Sequence, residues 1–112
     1  MTAINRSQKP DILFEENVGS YNKMVQDGKA PDLRNRNLSD LDLTHFNLKE
    51  ADLSGCYLRG TNLKGLDLSE ANLDGASIKN ALISGTLFPR GLAPCEIQLS
   101  HTLGTRMRQS RK

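Results

Sequence analysis

Tryptophan is absent from this chain of 112 residues, and aromatic residues make up only 4% of it. Hydrophobic residues total 37%, a smaller share than ordinary globular domains carry. A single domain of this length with so little bulk cannot build a thick core. The composition therefore predicts a thin, elongated body with a narrow core. Cysteine is scarce too: Cys56 and Cys95 stand far apart, with no pair of histidines near either. That spacing excludes the usual zinc patterns and a disulfide framework. No apolar run approaches the roughly 20 residues of a membrane-spanning helix, and Met1–Pro10 has no apolar stretch of the secretory kind. The expectation is a cytoplasmic protein with reduced thiols and no membrane partner.

An excess of either charge is lacking as well. Lys and Arg number 15 against 13 Asp and Glu, a net charge of +2. That balance does not call for nucleic acid or an anionic membrane as partner. The small positive excess sits at the end, in Arg106, Arg108, Arg111 and Lys112. Such a group reads as a solvated, frayed basic terminus.

What the chain has is a period of five. Leu33, Leu38, Leu43, Leu48, Leu53, Leu58, Leu63, Leu68, Leu73, Ile78, Ile83 and Phe88 recur without one slip. Two residues before each of these centres the side chain is mostly small or apolar, as in Ala51, Cys56, Thr61, Ala71, Ala76 and Ala81. One residue before, it is mostly Asp, Asn or Ser. Neither a helix nor a strand can place a period of five on one face. A chain that turns about 90° in every unit can, because four units then close one coil. Every centre points inward, with the residue two before it, and backbone groups pair along the axis at about 4.8 Å. Asp and Asn accept turn hydrogen bonds and Gly supplies positive φ, as a corner in every unit requires. Cys56 falls in a slot of small residues and reads as core packing.

Units such as Ala51-Asp52-Leu53-Ser54-Gly55, Thr61-Asn62-Leu63-Lys64-Gly65 and Ala71-Asn72-Leu73-Asp74-Gly75 resemble the A(D/N)LXX consensus of the pentapeptide-repeat family. The resemblance spans about residues 31–90. It implies that family's all-β solenoid, a right-handed quadrilateral β-helix, here of about three coils. The ending Phe88-Pro89 to Met107-Arg108 looks like that of short bacterial members, of cyanobacterial type. Family resemblance does not select one function, because its members are functionally scattered.

An uncapped coil stack exposes core and unpaired backbone, so both ends need covers. Residues 1–10 read as a flexible N-terminus and 11–30 as an N-terminal helical cap. Within that cap, a helix over Asp11–Asp27 carries the stripe Phe14, Val18, Tyr21, Val25 and stops at Gly28. Arg36 breaks the inward rule and is expected to pair with Glu15 or Glu16 at the cap boundary. Residues 91–105 read as a C-terminal cap around a helix from Pro94 to Leu103, ended by Gly104. Its Ile97, Leu99, Leu103 and Met107 are expected to pack on the last coil. Residues 106–112 are left as the basic tail.

No nucleophile motif, phosphate loop or metal pattern appears, and His45 and His101 have no evident partners. The expectation is no enzyme, no cofactor, no metal and no small-molecule substrate. The partner is instead another protein, with a homodimer as a variant of the same idea. On one face Tyr57 replaces the usual Asp or Asn, and Tyr57, Arg59 and Lys79 form a candidate contact patch. The competing reading has Tyr57 covered by a flank. Leu82 and Leu87 break the polar rule of the outward slot, so they contact either the C-terminal cap or a second subunit. Two functions compete: a regulatory adaptor, and an assembly subunit that stacks or dimerises through its C-terminal coil. A third, mimicry of DNA to bind a topoisomerase, is known within the resembled family. It needs a long, strongly negative stack, which residues 31–90, with seven basic and eight acidic side chains, do not supply.

Overall fold

A computed structural model describes residues 18–110. Its frame is parallel pairing at a fixed offset of twenty residues. Asn37 bridges Tyr57 and Tyr57 bridges Ser77, Asp42–Asn62–Leu82 makes a second column, and Asp52–Asn72 and Asp67–Leu87 make two more. One coil therefore consumes four five-residue units, and residues 31–90 supply three coils. The rungs are short backbone hydrogen bonds, such as Leu58 N–H to the Ser77 carbonyl at 2.8 Å and Tyr57 N–H to the Arg36 carbonyl at 2.9 Å.

A corner follows every centre. The Leu53 carbonyl accepts the Cys56 N–H at 3.1 Å, the Leu58 carbonyl accepts Thr61 at 3.2 Å, and the Leu63 carbonyl accepts Leu66 at 3.1 Å. These are four-residue β-turns. At several corners the third turn residue has positive φ, filled by Gly55 (72°) and Gly60 (69°), and by Asn35 (61°) and Asp40 (64°) in the coil below. Turns this frequent leave a single paired residue on each side. The described residues accordingly hold isolated bridges and two helices, with no extended strand. The all-β expectation is corrected to that extent.

The core is the column of centres. Leu38, Leu43, Leu53, Leu58, Leu63, Leu68, Leu73 and Ile78 are completely buried, while the last two centres, Ile83 and Phe88, are only partly covered. The second inward column contributes packing and hydrogen bonds. Thr61 Oγ1 donates to the Leu38 carbonyl at 2.8 Å, Cys56 Sγ to Leu33 at 2.9 Å and Thr86 Oγ1 to Leu63 at 2.6 Å. Each reaches a carbonyl 23 residues earlier, one coil down. Arg36 is exposed, and its proposed partners Glu15 and Glu16 lie outside the described residues.

Helix α1 (Val18–Gln26) closes the first coil. The earlier part of the expected helix, with Asp11 and Phe14, lies outside the described residues, as do residues 1–10. Tyr21 is buried and meets Phe46 edge-on, with ring centres 5.4 Å apart. Burial pushes the Tyr21 phenol up to about 12. Asn22 donates to the His45 carbonyl at 3.0 Å and accepts the Asn47 N–H at 2.8 Å. Helix α2 (Pro94–Leu103) crosses the last coil and ends at Gly104, whose φ is 79°.

The radius of gyration is 13.3 Å and the extents are 35 × 30 × 23 Å. These are the dimensions of a compact domain, not of the elongated body that composition suggested. Three coils rise only about 14 Å.

Candidate protein-interaction site

The outward slot before each centre has one dominant duty. In eight units, from Asp32 to Asn72, the side chain of Asp or Asn accepts the N–H two residues on, at 3.0–3.3 Å. These bonds brace the corners. They also hold the carboxyls of Asp42 and Asp67 below the ordinary range, and the Arg34 guanidinium brings Asp32 to about 2. Ionised and committed to turns, these aspartates suit structure rather than proton transfer. Four outward slots depart from the rule: Tyr57, Ser77, Leu82 and Leu87.

Two of the four meet the chain's own C-terminal segment. Arg106 lies over the Tyr57 ring, 4.9 Å from its centre, and donates to the Tyr57 hydroxyl. Arg106 Nη1 also reaches the Gly75 carbonyl at 2.9 Å, and Ser77 Oγ donates to the Gly104 carbonyl at 3.0 Å. Between them Met107 is buried, its N–H on the Ala76 carbonyl at 2.9 Å and its carbonyl accepting Gly75 N–H at 2.6 Å. Gln109 finishes the segment by bonding Leu73 N–H at 2.7 Å and the Ala71 carbonyl at 3.3 Å. The Arg108 guanidinium pairs with Glu96 at 2.7 Å and holds that carboxyl below its usual range. Residues 104–110 thus form a strap that stands where a fourth coil would lie. The expectation of a solvated terminus is corrected for residues 106–110. Arg111 and Lys112 lie outside the described residues.

The strap changes the surroundings of the patch Tyr57, Arg59, Lys79. Tyr57 is 46% exposed but already engaged by Arg106. Lys79 lays its stem beside Gly104, where an added Cβ would come within 3.2 Å of Lys79 Cδ. Arg59 is exposed and has no ion pair among the described residues. The strap was missed in the sequence because its contacts are backbone bonds and single side chains, Arg106, Met107, Arg108 and Gln109, none of them periodic. His101 was missed for a similar reason. Its Nε2 donates to the Ala81 carbonyl at 2.9 Å and its own carbonyl accepts Asn80 N–H at 3.1 Å. Beside it, the Ser100 hydroxyl accepts Ile78 N–H at 3.0 Å.

The other two exceptions have no such cover. Leu82 is 46% exposed and Leu87 57% exposed. On α2, Leu99 and Leu103 were expected to pack on the last coil, and both are exposed instead, leaving Ile97 as the partly buried contact. The helix is held by polar caps at Ser100 and His101, so its apolar residues are free to face outward.

Elsewhere the surface offers little chemistry. Among the described residues no group of three His, Cys, Asp or Glu is placed to hold a metal ion. Cys56 is a buried thiol, pushed up by burial, and Cys95 is an exposed one. No helix among the described residues is long and apolar enough to cross a membrane. The family model for pentapeptide repeats matches the chain in eight copies, over residues 37–75 and 51–88. No curated protein and no solved structure matches it.

Proposed function

Because the chain belongs, through residues 37–88, to the pentapeptide-repeat family, we propose that it is a non-enzymatic protein-interaction module. In this reading the coil stack is the right-handed quadrilateral β-helix of that family, and its last coil engages another protein through Leu82 and Leu87. The observation that carries the reading is the outward-slot rule and its exceptions. Eight slots brace turns, two meet the strap, and the remaining two are exposed leucines that do neither. Apolar side chains standing on a rigid surface lose little entropy when a partner covers them. The free thiols Cys56 and Cys95 fit a reducing bacterial cytoplasm.

The test is affinity capture from native host lysate with three baits: the unaltered chain, Leu82→Asp/Leu87→Asp, and Arg59→Ala/Lys79→Ala. The expected result is a partner held by the first and third baits and lost by the second. A partner lost only with the third bait would return the site to the Tyr57–Lys79 face. The same exposed leucines favour a second reading, an assembly subunit that self-associates through its last coil. Sedimentation velocity over a wide concentration range separates the two, since only the second predicts a mass that rises with concentration.

A further inference from the structure

The rim of the last coil is finished on one half and open on the other. On the finished half, Leu73 and Gly75 N–H reach Gln109 and Met107, Ile78 N–H reaches Ser100, Asn80 N–H reaches His101, and the Ala76 carbonyl takes Met107 N–H. On the open half, Ile83, Gly85 and Phe88 N–H and the Thr86 carbonyl have no hydrogen-bond partner among the described residues. One coil down, the equivalent groups are all paired. Leu63, Gly65 and Leu68 N–H bond the carbonyls of Leu82, Ser84 and Leu87, and the Leu66 carbonyl takes Leu87 N–H, at 2.8–2.9 Å. The open groups are therefore aimed along the stack, where the next layer of backbone belongs.

We propose that the open rim, residues 81–88, accepts an extended main-chain segment from another polypeptide, which adds to the last coil as its next rung. This rests on the interaction reading above and names the chemistry of the partner. The finished half of the same rim already holds such an occupant, since the strap lies there bonded through the backbone of Met107. Sheet edges that must stay free carry charged side chains or proline. Residues 81–88 contain neither, and Pro89 stands where the open stretch stops. Leu82 and Leu87 flank the open groups, so the incoming segment presents apolar side chains on that face, as strand-adding ligands do. A second copy docking rim to rim is the poorer fit. The rim offers three donors and one acceptor, and two such rows face donor to donor. The occupant must supply three carbonyls and one N–H; residues 82–87 present the same three carbonyls and two N–H groups to the coil below, the acceptor equivalent to the second, the Ala81 carbonyl, being already taken by His101.

The probe is a synthetic peptide copying residues 81–88, flanked by lysines for solubility, added to the full chain. The readout is amide hydrogen exchange resolved by residue. In the free protein Ile83, Gly85 and Phe88 are expected to exchange quickly while Leu63, Gly65 and Leu68 are protected. Saturating peptide is expected to slow the first three by about tenfold or more. Leu82→Asp/Leu87→Asp is expected to weaken peptide binding by about tenfold or more while protection of the lower coil stays unchanged. Unchanged exchange at the three amides with millimolar peptide overturns the proposal. So does protection that appears without peptide and grows with protein concentration, which assigns the rim to a second copy. If the peptide fails while the leucine pair still governs capture of a partner, strand addition falls and the interaction reading stands.

Discussion

Replacing Met107 with alanine tests whether the strap belongs to the folded body. Met107 is 1% exposed and lies against the last coil, with its N–H and carbonyl both bonded to Gly75 and Ala76. Truncating a buried methionine costs about 2–5 kcal/mol, through lost burial and the cavity left behind. The strap is short, so its few backbone bonds cannot hold the void closed, and the value expected is about 3 kcal/mol. For a domain of this size each kcal/mol lowers the melting temperature by roughly 4–8 °C, so a fall of about 12 °C or more should follow. Thermal melts followed by circular dichroism give the number, and exchange of the Gly75 amide reports undocking of the strap itself. Arg106→Ala is the control. Its contacts with Tyr57 are exposed, and their loss should cost no more than about 1 kcal/mol. A Met107→Ala protein within about 0.5 kcal/mol of the unaltered chain refutes the reasoning, because that is the behaviour of an ordinary exposed position.

Thr61→Val removes the hydroxyl that bonds the Leu38 carbonyl while keeping the shape, and leaving that buried acceptor unpaired should cost about 1–3 kcal/mol in chemical denaturation. Thr61→Ser should recover most of the loss. Glu96 is held below the usual carboxylate range by Arg108, so its contribution to strap docking is full above the ordinary glutamate pKa and lost as pH falls through the lowered value. An acid titration followed at the Arg108 amide, which bonds Glu96, should show this, and Glu96→Gln should flatten it. Tyr21, raised to about 12 by burial, contributes stability that is full below the free phenol's pKa near 10 and lost as pH rises toward the folded value. Alkaline unfolding should be delayed in Tyr21→Phe.

The repeat could be read off the residues because each unit states its own reason. A leucine every five residues, a small residue two before it and an Asx or Gly at the corner together leave one geometry, and the parallel pairing at an offset of twenty residues follows that reading. Helix α2 was legible for local reasons as well, with Pro94 at its start and Gly104 in the left-handed conformation at its end. The docking of α2 was not. Its apolar residues Leu99 and Leu103 look like the contacts, whereas the bonds run through the Ser100 hydroxyl and His101. Tyr57 could be marked as an exception without revealing what answers it, because Arg106 stands 49 residues away in sequence.

What this chain determines by sequence alone is whatever repeats: which side chains point inward, where the corners fall, and which outward slots break the rule. These are local consequences of turn chemistry and side-chain size. Only the tertiary structure decided how the last coil ends. Its first half is closed by a strap whose backbone pairing carries no residue signature, and its second half is left with Leu82, Leu87 and a row of aimed N–H groups. The physical reason is that main-chain hydrogen bonds are the same for every residue, so a segment that caps by its backbone leaves almost no trace in the letters.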